Sequence, residues 1–166
     1  MPRSRSVLLV AASCLVVALL SGCTPSDKTA VRLDPSGPAL EIATCEKISI
    51  NLVRVEQFDA ESSEWVPAWI AVGEHEFRVG DRIAVGQPIE GMEVKIDRPL
   101  DFTEDGAMSV SLELWRDSDL ESVDDSYQFD GHPLKLIGFS FELSELGNQW
   151  LRGDNTSHES PCPTDS

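Results

Sequence analysis

Apolar and polar positions alternate in short runs along the middle of the chain, and the runs predict strands. Ile48, Ile50 and Leu52 alternate with Ser49 and Asn51. The apolar parity then moves to Val53 and Val55, as at a bulge or at a strand end covered on both faces. Trp65 to Val72 is apolar and aromatic, and Pro67 within it predicts an edge position. His75 to Val79 and Arg82 to Val85 flank Gly80-Asp81, which predicts a two-residue hairpin. Met92, Val94 and Ile96 alternate with charged residues. Met108, Val110, Leu112 and Leu114 alternate with Ser109, Ser111 and Glu113 and form the clearest half-buried strand. In Leu134 to Leu143 the residues Ile137, Phe139, Phe141 and Leu143 share a face, and Gly138 is expected to mark a bulge.

Turn residues separate these runs at Gly86-Gln87-Pro88, Glu90-Gly91, Glu104-Asp105-Gly106 and Gly131-His132-Pro133. No ten-residue stretch carries a helical period, although Glu142 to Trp150 has room for one short turn of helix. Six or seven strands at this spacing predict an all-β fold, a small antiparallel β-sandwich. Immunoglobulin-like topology is the first expectation and a small β-barrel the alternative.

The beginning of the chain differs. Arg3 and Arg5 precede an uncharged run, residues 7–20, which is the layout of a secretory signal and falls short of the roughly 20 apolar residues of a spanning helix. The run ends Leu20-Ser21-Gly22-Cys23, which resembles the lipobox of bacterial lipoproteins at every position. The resemblance covers the first 23 residues. It implies that residues 1–22 are a signal peptide cut before Cys23, that the Cys23 thiol carries a diacylglycerol, and that the protein is held on the cell membrane, facing outside the cytoplasm. One acyl chain binds marginally, whereas two or three on a single cysteine anchor stably. Residues 23–40, with prolines at 25, 35 and 38, then read as the lipidated N-terminus and a tether. Residues 41–152 read as the sandwich, and 153–166 as a polar C-terminal tail.

The full chain carries 29 Asp and Glu against 13 Lys and Arg, a formal charge of −16. Every carboxylate follows Cys23, so losing Arg3 and Arg5 makes the mature balance more negative still. Such a chain lacks the basic face that nucleic acid requires and does not adhere electrostatically to anionic lipid heads. Its partners are expected to be the membrane, through the lipid, and a protein or glycan of the envelope.

Of the cysteines, Cys14 leaves with the signal and Cys23 takes the lipid. Cys45 and Cys162 remain in a compartment that permits disulfides, which predicts a bridge pinning the tail. The alternatives are two free thiols or a metal pair with no further evident ligand.

The acidic segment between the last two strong strands holds Asp117, Asp119, Glu121, Asp124, Asp125 and Asp130. Closely spaced carboxylates suit the six to eight oxygens of Ca²⁺. The spacing departs from an EF-hand at Ser122, where that loop needs Gly, and at Gln128, where it needs Glu. A solvated connection is the alternative, with no cofactor.

Glu74-His75-Glu76 puts neighbouring side chains on opposite strand faces, which does not favour chelation, and His75 reads as partly buried. Trp65 and Trp69 share parity and offer either a glycan- or protein-binding stripe or core packing. No nucleophile elbow, zincin helix or phosphate loop is present. A wall-glycan hydrolase built on two carboxylates is a further reading beside the non-enzymatic binding or structural role expected first.

Overall fold

The computed structural model of the chain describes residues 28–35, 39–102, 106–116 and 132–163. Ten strands follow one another: β1 (Thr29–Leu33), β2 (Leu40–Thr44), β3 (Ile48–Asp59), β4 (Glu64–Phe77), β5 (Arg82–Ala84), β6 (Met92–Asp97), β7 (Ala107–Leu114), β8 (Lys135–Glu142), β9 (Trp150–Arg152) and β10 (Ser157–His158). They form two antiparallel five-stranded sheets, ordered β10-β9-β1-β2-β5 and β6-β4-β3-β7-β8. The sheets face each other and do not close, so the fold is a β-sandwich and not a barrel. β9 and β10 continue the first sheet beside β1, and β4 and β6 continue the second beside β3. Among the described residues, a 3₁₀ turn follows β8 at Leu143–Glu145.

The core fills the space between the sheets. Val31, Leu40, Ile42, Ile83 and Leu151 of the first sheet meet Ile50, Val53, Val55, Trp69, Met108, Val110, Leu112 and Phe141 of the second. Leu100 and Phe102, after β6, pack against the core.

A second apolar cluster of Leu52, Ile70, Ile96 and Trp115 exists because the second sheet is bulged. The β3–β4 register breaks between Ile50 and Leu52, just before the change of parity at Val53. Ile50 faces the core, Leu52 joins the second cluster, and both are fully buried. Asn51, at the break, donates from Nδ2 to the Trp115 carbonyl at 2.8 Å and accepts the Trp115 N–H on Oδ1 at 2.7 Å. Beside this cluster the buried Glu113 accepts from the Ser111 hydroxyl and the Trp115 indole N–H and pairs with Arg54. A buried carboxylate is tolerable when donors surround it in this way. Opposite Asn51, Gly73 has φ +149°, and a Cβ there would lie 2.2 Å from the Gly91 carbonyl oxygen. Only glycine lets β6 approach β4 this closely.

Several expectations need correction. The sandwich extends beyond residues 41–152 at both ends. β1 lies inside the stretch read as tether and is central to its sheet, paired with β2 and β9. Its Ala30 and Val31 are both fully buried, one under Trp150 and one in the main core. A strand covered on both faces shows no alternation, and the prolines after it read as linker. At the other end β10 pairs with β9 inside the supposed tail. The Arg152 guanidinium then donates to the Pro161 and Ser160 carbonyls, docking the segment to residue 161.

Gly80-Asp81 does not close a hairpin. β4 ends at Phe77, and β5 crosses to the other sheet to pair with β2. β4 is interior from Trp69 to Gly73, where β6 covers it, and Pro67 lies just outside that paired stretch. Gly138 is not a bulge, since β8 pairs with β7 in unbroken register. A Cβ at Gly138 would instead lie 2.0 Å from the Val110 carbonyl oxygen.

Candidate functional site

The feature that stands apart is the far end of the long β3–β4 hairpin. A second register shift, between Val55 and Glu56, leaves Ala68 of β4 without a partner. That extra residue turns the strand over. Trp69 enters the main core at 1% exposed, while Trp65 emerges at 41%. The two do not form one stripe, and the shared parity holds only for an unbulged strand. The cross-strand partner of Trp65 is Phe58, itself 40% exposed. Their rings meet edge-on with centroids 5.5 Å apart, a favoured aromatic geometry.

A cleft of roughly 520 Å³ opens beside this pair. One wall comes from the hairpin, through Gln57, Phe58, Asp59, Glu61 and Pro67; the other comes from the connection after β6, through Arg98, Pro99 and Asp101. The Gln57 amide fastens the walls together. Its Nε2 donates to the Asp101 carbonyl at 2.7 Å, and its Oε1 accepts the Asp101 N–H at 3.2 Å. The cleft is therefore built before anything enters it.

The tip is ordered by Asp59. Its carboxylate accepts the Glu61 N–H at 2.9 Å and the Ser62 hydroxyl at 3.0 Å. Ser63 adopts φ 59°, a left-handed conformation that such a turn must hold in place. The Glu61 N–H, and after it the Ser62 hydroxyl, hold the Asp59 carboxyl below its usual range. A depressed carboxyl stabilises the turn above its unfolded value near 3.9 and loses that contribution as pH falls through the folded value. Below about pH 4 the tip is expected to loosen, read as lower protection of the Glu61 and Ser62 amides relative to an unstructured peptide at the same pH. Asp59→Asn should show faster exchange already at neutral pH and a flatter profile below pH 4. An identical acid profile in that variant would contradict the assignment.

Carboxylates dominate this end. Among the described residues, Asp59, Glu61 and Asp101 line the cleft with one cation, Arg98, and Glu64 opens β4 beside them.

The remaining sequence candidates sit elsewhere. A disulfide joins Cys45 and Cys162, with Cα atoms 5.2 Å apart. It lies at the opposite end, between β2 and β3. Cys23, Asp117, Asp119, Glu121, Asp124, Asp125 and Asp130 lie outside the described residues. Among the described residues no three His, Cys, Asp or Glu side chains are grouped to hold a metal ion. His75 is half-buried. Its ring meets Phe77 edge-on at 4.3 Å, and its Nδ1 sits 2.8 Å from the Glu90 carbonyl.

Phe58 and Arg98 were missed by the sequence reading. Phe58 carries one local signal, since it and Trp65 flank the turn Asp59–Glu64 symmetrically and so must oppose each other if that turn closes a hairpin. Arg98 carries none, because its place in the wall depends on how the β6–β7 connection crosses the end of the sandwich. Compared with protein-family models, with curated proteins and with solved structures, the chain matches none of them.

Proposed function

We propose that this chain is a lipid-anchored envelope protein whose sandwich serves as a non-enzymatic binding module, held on the outer side of the membrane through Cys23. The lipobox residues supply the anchor. The observation that carries the reading is the placement of β1. Its first residue, Thr29, follows Cys23 by only six positions, so fully extended chain spans at most about 20 Å between lipid and fold.

That short link orients the domain. Thr29 pairs with Thr44, and residues 45–47 connect directly to the start of β3. The beginning of β3 therefore lies at the anchored end. The twelve-residue β3 runs away from it and delivers Phe58 to the other end. The aromatic pair and its cleft thus face outward, where a partner in the envelope can reach them. An exposed, preformed aromatic cleft at the distal end of a tethered domain supports binding.

Replacing Cys23 by Ala tests the anchor. The variant is expected to leave the membrane fraction and to incorporate no labelled fatty acid, with its fold unchanged. Retention on the membrane would contradict the reading.

A further inference from the structure

We propose that the distal cleft takes a basic, extended peptide segment of another envelope protein. The proposal rests on the outward presentation argued above and adds the chemistry of the partner. Three observations on the same end of the molecule carry it.

First, the apolar surface there is concentrated. Phe58 and Trp65 belong to the few large apolar side chains left exposed, and they pack against each other instead of pointing separately into water. Their free faces are electron-rich platforms of the kind that attract an ammonium or guanidinium group.

Second, the charge beside the platform is complementary to such a group. Asp59 and Glu61 on the hairpin wall and Asp101 on the facing wall outnumber Arg98. Asp59 is committed to its own turn, while Glu61 and Glu64, both exposed, stand in the same hairpin turn between Phe58 and Trp65. Arg98 lines the same cleft, and a guanidinium is a donor suited to the main-chain carbonyls that an extended segment presents along its length.

Third, the shape suits an extended chain. The cleft is open and bounded by two strands and a connection, and the Gln57–Asp101 pair of bonds fixes the width between its walls. Preorganisation of that kind lowers the cost of binding. A lysine or arginine is thereby placed over Phe58 and Trp65 with its charge toward Glu61 and Glu64, and the flanking backbone runs past Arg98.

The test uses the full lipidated protein in detergent micelles and a fluorescein-labelled alternating Ala-Lys peptide, followed by anisotropy. Saturable binding is expected, weakened about tenfold by Trp65→Ala and several-fold by Glu61→Gln with Glu64→Gln. It should also weaken as salt shortens the screening length. Glu93→Gln on the distant part of β6 should leave it unchanged, and an alternating Ala-Glu peptide should not bind. The altered carboxylates are exposed, so thermal unfolding of their variants should match the parent, and Trp65→Ala, which also loses the edge-on contact with Phe58, is measured well below its own unfolding transition. Absence of saturable binding would overturn the proposal. So would equal losses in Trp65→Ala and Glu93→Gln, which would mean diffuse attraction to an acidic protein. Displacement of the peptide by a hexamer of N-acetylglucosamine would also overturn it, by assigning the cleft to glycan. The assay contains no bilayer, so its outcome is independent of the Cys23→Ala result, and either reading can fail without the other.

Discussion

Replacing Cys45 and Cys162 together by Ala is expected to lower the unfolding free energy by about 4 kcal/mol. The bridge spans 117 positions, and closing so long a loop removes much of the freedom of the unfolded chain in the chain-entropy account. The folded side of the balance points the same way. What the bridge holds is weakly held otherwise. β10 has two residues and β9 three, and β9 meets β1 at only two paired positions. Those short strands nevertheless carry Trp150, which covers Ala30 and Ala43 with the Arg32 guanidinium 4.4 Å above its ring, and Leu151, which reaches the main core. Without the bridge the C-terminal segment should fray and uncover both. Urea titration of the double variant, and of the parent under reductant, should show matching losses. A change below about 1 kcal/mol would mean that the segment is secured by its own packing.

Replacing Asn51 by Leu is expected to cost about 3 kcal/mol, although Leu keeps the same branched skeleton of four side-chain heavy atoms. Asn51 is buried, and both polar atoms of its amide are spent on the backbone of Trp115. Leucine leaves that N–H and that carbonyl buried without partners, and each such group costs about 1–3 kcal/mol. The break also carries structure beyond itself. Trp115 belongs to the second apolar cluster and donates its indole N–H to the buried Glu113. A loss of near-ultraviolet dichroism from Trp115 should accompany the loss of stability. Asn51→Asp keeps the acceptor and removes the donor while burying a charge, and it should be no milder. A neutral Asn51→Leu would show that the break in register is set by the strands alone.

Much of the sandwich was legible because half-buried strands write themselves as alternation. β6 and β7 follow their apolar residues, and the change of parity at Val53 marks a real break that lies just before it. The disulfide was legible by elimination once Cys14 and Cys23 were set aside. What stayed hidden has physical reasons. β1 is buried on both faces and therefore has no period, while β9 and β10 are too short to show one. A tight turn at Gly80-Asp81 has the same chemistry whether the next strand pairs back or crosses to the facing sheet. Trp65 and Trp69 look like one stripe because a bulge of one residue leaves no mark in the sequence. The cleft was the least legible part. Its walls come from segments some forty positions apart, and Gln57 joins Asp101 only because the β6–β7 connection crosses that end of the fold.

The central claim is that Cys23 is the first residue of the mature protein and bears the lipid that sets the domain's orientation. Mass spectrometry of the N-terminal tryptic peptide of the membrane-purified protein tests it most directly. Cleavage after Lys28 should release residues 23–28, with a diacylglyceryl thioether on Cys23 and no residue before it. A peptide that begins elsewhere, or one that carries Cys23 as a free thiol, would contradict the account.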